Sequence, residues 1–279
     1  MLQPAQHTST SAARSSTPVK HIPTQEAYDQ WADVYDTDGN MLQSIDDHEL
    51  ETLLPRFLTT VAEGCATQST SGLSLIDLGC GTGRNTAKLL SYAWPQDFNI
   101  EVTALDFSRG MLELAATKLN PASSSPDGKR QLRLEQCDCF PTVSDPSASP
   151  VPPVPGLTAA TALISTLVLE HIPLKDYFAT LAALVRTNGY ALVTNMHSDM
   201  GRVSQAGFVN AEGVKVRATS FVYTPGEAAN EARRAGFEVV DVRERGMREE
   251  DVESGVVGGR GRKWVGVMVW FALVLRRCG

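Results

Sequence analysis

Several features that would define a broad class of protein are missing from this chain of 279 residues. Basic residues number 25 against 32 acidic ones, and the net charge of −7 lacks the electrostatic footprint of a general nucleic-acid binder. The longest apolar run, 264–275, is too short to span a membrane. The first residues contain no apolar core of the kind that a secretory signal needs. We therefore predict that its partners include neither nucleic acid nor a membrane.

Cysteine is also scarce. The five cysteines are an odd set without the density of a disulfide scaffold, which predicts a reducing, cytoplasmic compartment. Cys137 and Cys139 are one residue apart and no second pair follows, a spacing that disfavours a zinc site. We predict that the protein holds no metal ion.

The N-terminal stretch 1–23 contains no acidic residue and is rich in Ser and Thr. This composition predicts a disordered tail; a transit peptide is the alternative, although only Arg14 and Lys20 supply charge. The remainder, 24–279, is predicted to form a single domain, because 42% apolar and 20% charged residues are an ordinary globular balance.

Apolar runs alternate with amphipathic helical patterns along this domain. Strands are predicted at 73–79, 100–108, 132–140, 160–171, 190–196, 238–245 and 264–275, and helices at 24–40, 44–63, 84–93, 109–119, 174–189 and 224–237. The alternation predicts an α/β fold with a doubly wound, mostly parallel, Rossmann-like sheet. The last two strands have no helix between them, so we expect one antiparallel C-terminal strand.

Local signals set several of the expected boundaries. Thr24, Ser44 and Thr224 are predicted helix N-caps, and Gly189 is a predicted C-cap. The Pro- and Ser-rich segment 141–156 is expected to contain no helix.

The segment LIDLGCGTGRN, residues 75–85, directly follows the first central strand. Its glycines 79, 81 and 83 permit a tight turn and let a ligand lie against bare backbone at a helix N-terminus. The dinucleotide fingerprint fails because Arg84 stands where its third small residue belongs, and no Gly-Lys-Ser or Gly-Lys-Thr is present. Asp77 would repel a diphosphate and attract an ammonium group. The loop therefore indicates a ligand that is cationic at this end.

Two further acids follow at the ends of the next strands. Asp106 closes the strand at 100–108, where a carboxylate can accept the two hydroxyls of a ribose. Asp138 closes the strand at 132–140, where it could accept a hydrogen bond from an exocyclic amine such as that of adenine. The three acids could thus bind an amine, a ribose and an adenine in succession. These are parts of S-adenosylmethionine.

At these motifs the sequence resembles the class I S-adenosylmethionine-dependent methyltransferases, over roughly residues 24–275. IDLGCGTG, ALDFSRGMLELA and EQCDCF are similar to the first three motifs of the family. LISTLVLEHIP and LVRTNGYALVTN are similar to its fourth-strand and fifth-strand segments. The LVLEHI stretch and the segment TPGEAANEARRAGFEVVDVRE look like the small-molecule branch, which includes quinone-ring and secondary-metabolite methyltransferases. Family members often carry an acid at the start of the fourth strand, where this sequence has Thr161; we take that acid to be structural.

The resemblance implies S-adenosylmethionine as cofactor and assigns the residues that hold it. The three glycines would lie under the methionine part, Asp106 would bind the ribose, and Asp138 with a neighbour would frame the adenine. The cofactor site implied in this way comprises Tyr28, Trp31, Tyr35, Asp77, Gly79, Cys80, Gly81, Thr82, Gly83, Asp106, Phe107, Met111, Cys137, Asp138, Cys139 and Leu167.

Residues 24–63 would form lid helices and 197–223 a substrate cap. Tyr28, Trp31 and Tyr35 share one helical face; spacing alone favours a core role, and the resemblance favours a lid over the methyl donor. Arg260, Arg262 and Lys263 form a basic cluster, for which a solvated turn is the default interpretation.

The function that follows is methyl transfer to a small organic acceptor, in secondary or specialised metabolism. The catalytic candidate is His171, either as a general base or as a wall of the pocket, and His48 and His197 are weaker candidates for a base. The alternatives are a cofactor-binding fold that catalyses a cyclisation or rearrangement, and a regulatory cofactor binder. The sequence identifies neither the acceptor nor the oligomeric state.

Overall fold

The computed structural model of the protein describes residues 18–66, 72–119 and 128–279. Its strands form two sheets. The small sheet contains β1 (Val19–His21), β7 (Gly207–Val209) and β8 (Lys215–Arg217). The large sheet contains β2 (Gly72–Leu78), β3 (Asn99–Asp106), β4 (Arg130–Gln136), β5 (Ala160–Thr166), β6 (Val185–Met196), β9 (Phe237–Gly246) and β10 (Met268–Arg277).

The large sheet has the strand order β4-β3-β2-β5-β6-β10-β9. Strand β10 runs antiparallel to both of its neighbours, and the other pairings are parallel. Six of the seven residues of β5 are buried, as expected of a central strand with both faces covered. The predicted fold class, including the antiparallel C-terminal strand, is confirmed.

The helices of the described residues cover both faces of this sheet. They are α1 (Thr24–Tyr35), α2 (Met41–Ala66), α3 (Arg84–Ser91), α4 (Arg109–Leu119), α5 (Pro141–Ser144), α6 (Leu174–Leu184), α7 (Ser198–Gly201), α8 (Pro225–Arg234) and α9 (Glu249–Glu253). Two 3-10 turns add Leu169–His171 and Gly259–Trp264. Two large apolar clusters fill the space between helices and sheet, and a third lies under α1.

Several helix boundaries differ from those predicted. Helix α1 is preceded by Pro23, so Thr24 lies inside it. Helix α2 begins at Met41, and Asn40 rather than Ser44 caps it, because the Asn40 side-chain oxygen accepts the Leu42 N–H at 3.1 Å. The Thr224 cap of α8 is confirmed, with a complete capping box.

Two further expectations on local structure were wrong. Helix α6 ends at Leu184, and Gly189 lies within β6 rather than at a helix end. A Cβ at Gly189 would lie 2.7 Å from the Thr161 carbonyl oxygen, so this position needs a glycine for close strand approach. The segment 141–156 contains the short helix α5, whose first residue is a proline, a position where the missing N–H costs nothing.

The predicted disordered tail is corrected at Val19–His21, which form β1 and pair in parallel with β8. Its residues 1–17 lie outside the described residues. Backbone hydrogen bonds join Ile22 N–H to the Arg217 carbonyl at 3.1 Å and Lys215 N–H to the Pro18 carbonyl at 2.8 Å. The local composition of Val19–His21 did not predict this strand, because it forms by pairing with β8, which is distant in the sequence.

Two carboxylates, one buried and one exposed, fix the N-terminal helices to the domain. Asp46 of α2 is fully buried and accepts from Arg84 at 2.8 Å, Thr194 at 2.6 Å and Trp270 at 2.8 Å. Asp29 of α1 accepts from the Ser108 hydroxyl at 2.6 Å, just before α4. These contacts hold α1 across the carboxyl ends of the central strands.

Candidate active site

Two adjoining cavities lie at the carboxyl ends of the central strands. The larger has a volume of about 600 Å³ and the smaller about 340 Å³. Tyr28, Tyr35 and Leu167 line both, so these three side chains separate the two spaces. In an open α/β sheet this edge is where ligands bind.

The glycine loop forms one wall of the larger cavity. Gly79, Gly81 and Gly83 have φ values of 75°, 54° and 77°, a region that favours glycine. A Cβ at Gly79 would lie 2.5 Å from Val168, and one at Gly83 would lie 2.8 Å from Leu119. A Cβ at Gly81 would meet no protein atom within 4 Å, because this residue borders the open cavity.

Asp106 ends β3 at the cavity wall and is only 5% exposed. One carboxylate oxygen accepts the Gly81 N–H and the other accepts the Ser108 N–H, both at 2.8 Å. Burial raises the pKa of Asp106 to about 6. A carboxylate has about four lone-pair sites, so these amides do not saturate it and a ligand hydroxyl can still donate to it.

Asp138 lines the same cavity two residues beyond the end of β4 and is exposed. One oxygen of its carboxylate accepts the Phe140 N–H at 3.0 Å. Cys137 and Cys139 flank it in the cavity wall, with their sulfur atoms 4.0 Å apart. Among the residues that the structure describes, no cluster of His, Cys, Asp and Glu has the arrangement of a metal site.

Five residues of the implied cofactor site do not line either cavity: Asp77, Cys80, Thr82, Gly83 and Met111. The Asp77 carboxylate is 1% exposed and accepts the Thr86 hydroxyl at 2.6 Å, inside α3. Burial raises its pKa to about 7. In this structure these residues lie in the glycine loop or behind it, and their predicted part in the cofactor site stays a prediction.

The aromatic face of α1 covers both cavities, but its members do different things. Tyr28 and Tyr35 stand between the cavities, with ring centroids 6.0 Å apart. Trp31 lines only the smaller cavity, where it stacks on Phe208 at 5.3 Å and donates to Asp38 at 2.9 Å. Of the two predicted lid helices, α1 covers both cavities, whereas α2 packs into the core and only its first residues reach the smaller cavity.

His171 lies in the wall of the larger cavity and is hydrogen-bonded through both ring nitrogens. Its Nδ1 lies 2.6 Å from the Thr219 carbonyl oxygen, which can only accept, so we assign the proton to Nδ1. Its Nε2 then accepts from the Tyr28 hydroxyl at 2.8 Å. Burial lowers the pKa of His171 to about 4. A neutral imidazole whose free lone pair is already engaged fits a wall better than a general base.

Glu170 is a candidate that the sequence reasoning missed. Its side chain lines the smaller cavity and is buried, with 3% exposure. Its Oε2 has no hydrogen-bond partner among the described residues, and its Oε1 lies 3.7 Å from His171 Nε2. Burial raises the pKa of Glu170 to about 8, so the carboxyl is mostly protonated at neutral pH. The only sequence signal was an acid directly before His171 at the end of an apolar run.

The smaller cavity combines apolar and basic walls. Its apolar side chains include Leu42, Met196, Met200, Phe208 and Trp264. Lys215, Arg260 and Lys263 also line it, whereas Arg262 points to Glu249 at 3.4 Å. His48 and His197 line neither cavity. Parts of the segment 197–223 line both cavities, in the position expected of a substrate cap.

Comparison with known proteins identifies the class. Residues 42–242 match the model of a methyltransferase domain family. An uncharacterised methyltransferase of Emericella nidulans is 44% identical over 268 residues, which cover 91% of each chain. The structure is also similar to the [4+2]-cyclase SpnF, at 17% identity and a TM-score of 0.53 over 94% of this chain and 99% of that one. A geranyl diphosphate C-methyltransferase from Streptomyces coelicolor A3(2) gives 13% identity and a TM-score of 0.53, over 82% and 78%.

Fold and site together define a class I S-adenosylmethionine-dependent methyltransferase. The chain belongs to the methyltransferase domain family that its residues 42–242 match. The predicted family and enzyme class are confirmed, and so is the cofactor, since S-adenosylmethionine is the methyl donor of this class.

The larger cavity fits that cofactor. It is open at Gly81, and it presents the Asp106 carboxylate, whose hydrogen-bonding capacity the backbone amides do not saturate. In the described part of the chain, no helix is both long and apolar enough for a membrane span.

Proposed function

We propose that the protein transfers a methyl group from S-adenosylmethionine in the larger cavity to a small organic acceptor in the smaller cavity. One observation carries the proposal: the two cavities meet at Tyr28, Tyr35 and Leu167, so ligands on either side would be neighbours. Methyl transfer depends on holding donor and acceptor in line at close range. Two cavities that share a wall of three side chains suit that requirement.

The larger cavity offers a separate group for each part of the cofactor. We assign the Gly79 and Gly81 backbone to the methionine part, the Asp106 carboxylate to the ribose hydroxyls, and Asp138 to the adenine amine. The bound cofactor supplies a methyl group already activated on a sulfonium. The tasks left to this chain are binding, orientation and exclusion of water.

Helix α1 supports the exclusion of water. Its Tyr28 and Tyr35 close the space between the cavities, and Gln25 donates to the Phe107 carbonyl at 2.9 Å on the rim of the larger one. Burial raises the pKa of both tyrosine hydroxyls above their usual range, so both rings are neutral. His171 acts as a positioning residue, because its Nε2 fixes the Tyr28 hydroxyl.

Glu170 is the group that we assign to the acceptor. Its unpartnered Oε2 is a buried polar atom at the wall of the smaller cavity, and an unpaired buried polar group is costly unless a ligand satisfies it. The neutral carboxyl can donate a hydrogen bond to an acceptor oxygen, and the ionised form can accept from a hydroxyl or an amine.

The smaller cavity, at about 340 Å³, suits a small molecule rather than a polymer. On this basis we propose a role in secondary or specialised metabolism. A cytoplasmic location agrees with the five cysteines, an odd set without the density of a disulfide scaffold.

The test is a transfer assay with S-adenosylmethionine and a panel of phenols, carboxylic acids and amines. We expect S-adenosylhomocysteine to form together with one methylated acceptor. Conversion of an acceptor without S-adenosylhomocysteine would favour the cyclisation or rearrangement alternative. Cofactor binding without conversion of any acceptor would favour the regulatory one.

A further inference from the structure

The mouth of the smaller cavity carries an excess of positive charge. Lys215 of β8 and Arg260 and Lys263 of the turn Gly259–Trp264 line it, and both turn residues are exposed. These segments are far apart in the sequence, so the fold and not a local charge run brings the cations together. In a chain of net charge −7, such a concentration calls for a physical reason.

Acidic side chains do not neutralise this group. In the described ranges, no carboxylate forms an ion pair within 4.0 Å of Lys215, Arg260 or Lys263. Arg260 donates to a carbonyl, that of Asp38 at 2.6 Å, and Lys263 lies over the Trp264 ring at 5.0 Å. Arg262 in the same turn does have a carboxylate partner, Glu249.

The two acids that line the same cavity leave the balance positive. Asp38 has both oxygens engaged, by the Trp31 N–H at 2.9 Å and by the Asn40 N–H at 2.8 Å. Glu170 is mostly neutral at pH 7. The pKa of Lys215 is lowered by partial burial and by the charges of Arg217, Lys263 and Arg260, which means that the cations repel one another.

We propose that the acceptor carries an anionic group, a carboxylate or a phosphate, which Lys215, Arg260 and Lys263 bind at the cavity mouth. The inference rests on the proposed function and specifies the substrate class of that site. Apolar and aromatic side chains also line this cavity, among them Trp31, Phe208 and Met196. The buried Glu170 and Tyr28 mark the inner end. The acceptor is therefore an amphipathic anion whose methylated atom lies at its apolar end.

The test is titration calorimetry on the full chain saturated with S-adenosylhomocysteine, with 4-hydroxybenzoate, phenyl phosphate and neutral phenol as probes. We expect both anions, or one of them, to bind about tenfold or more tightly than phenol, since charge-assisted contacts are the strong ones. The anion preferred distinguishes a carboxylate from a phosphate. Raising the salt concentration should weaken the anionic probes and leave phenol unchanged.

Matched variants separate a built site from general positive charge. Lys263→Met and Lys215→Met should each weaken anion binding several-fold, whereas Arg262→Met, in the same turn but paired with Glu249, should not. The affinity for S-adenosylhomocysteine in each variant reports folding and the state of the larger cavity. Failure of the wild type to bind S-adenosylhomocysteine would count against the proposed function. Normal cofactor binding with no preference for the anions, with no probe bound at all, or with an equal loss in Arg262→Met, would overturn the anionic acceptor alone.

Discussion

The two cavities differ in whether backbone or side chains form their walls. The larger one uses backbone: glycines with positive φ, amides that hold Asp106, and residues that directly follow β2, β3, β4 and β5. The smaller one is assembled from side chains of α1, the start of α2, the turn Leu169–His171, the segment 197–223 and the turn Gly259–Trp264. A constant ligand can be held by the geometry of strand ends, whereas a particular acceptor is selected by side chains on separate segments. The two regions can therefore be perturbed independently.

The largest effect is expected from Gly81→Val. Its side chain would enter the open space of the larger cavity, and the φ of 54° disfavours any β-branched residue. We expect the affinity for S-adenosylhomocysteine to fall by about 3 kcal/mol or more, the upper range for overpacking. Gly213→Val is the matched control, because Gly213 has a φ of 74° and open surroundings but does not line the larger cavity. Equal losses in both variants would show that backbone strain, not ligand overlap, is responsible.

Asp106→Ala should have the next largest effect. Removing a carboxylate that accepts two backbone amides and faces the cavity should weaken cofactor binding by about 1.5–3 kcal/mol, the range for hydrogen bonds to a charged group. Calorimetry with S-adenosylhomocysteine measures this loss. Binding of an anionic probe in the smaller cavity should change little. An unchanged cofactor affinity would contradict the ribose assignment.

The contrast between backbone and side-chain walls also explains which site residues could be predicted from the sequence. Gly79, Gly81 and Asp106 could be found because spacing along two consecutive strands fixes their place. Arg260 and Lys263 could not be placed in a cavity, since their partner Lys215 comes from a strand that pairs with β1 and β7. The hydrogen bond of Asp77 to Thr86 could not be predicted, because sequence position shows that a residue is near a loop but not on which side of the strand its carboxylate lies.

The fold shows a similar division. The absence of a helix between the last two strands predicted the antiparallel C-terminal strand, and hydrophobic periodicity predicted the alternating strands and helices of the large sheet. It did not predict β1 or the extension of β6 back to Val185, which depend on pairing with distant strands. Glu170 was overlooked for a related reason: its importance comes from burial without a partner, which only the packed structure reveals.

Glu170→Gln should change the pH dependence of stability. The pKa of Glu170 is raised from 4.5 to about 8 in the folded chain, so the folded state keeps a proton that the unfolded state releases between these values. Its contribution is present in full below pH 4.5 and is lost as the pH rises through about 8. The glutamine variant should therefore become more stable relative to wild type across this window, by about 2 kcal/mol between pH 6 and 8. Denaturant unfolding at several pH values measures the difference, and a pH-independent difference would contradict a buried carboxyl.

The smallest effect is expected at His171, and it separates a wall from a catalytic base. The imidazole is neutral, and its Nε2 already accepts from Tyr28. His171→Asn should therefore reduce the rate about tenfold or less and leave the pH profile unchanged, whereas loss of a general base costs about 10²–10⁴. Tyr28→Phe removes the other side of the same hydrogen bond, so the double variant should lose less than the two single losses combined. Rates measured on the true acceptor between pH 5 and 9 decide the matter. A thousandfold loss in His171→Asn with a flattened profile would assign the base to His171 and remove Tyr28 positioning as its role.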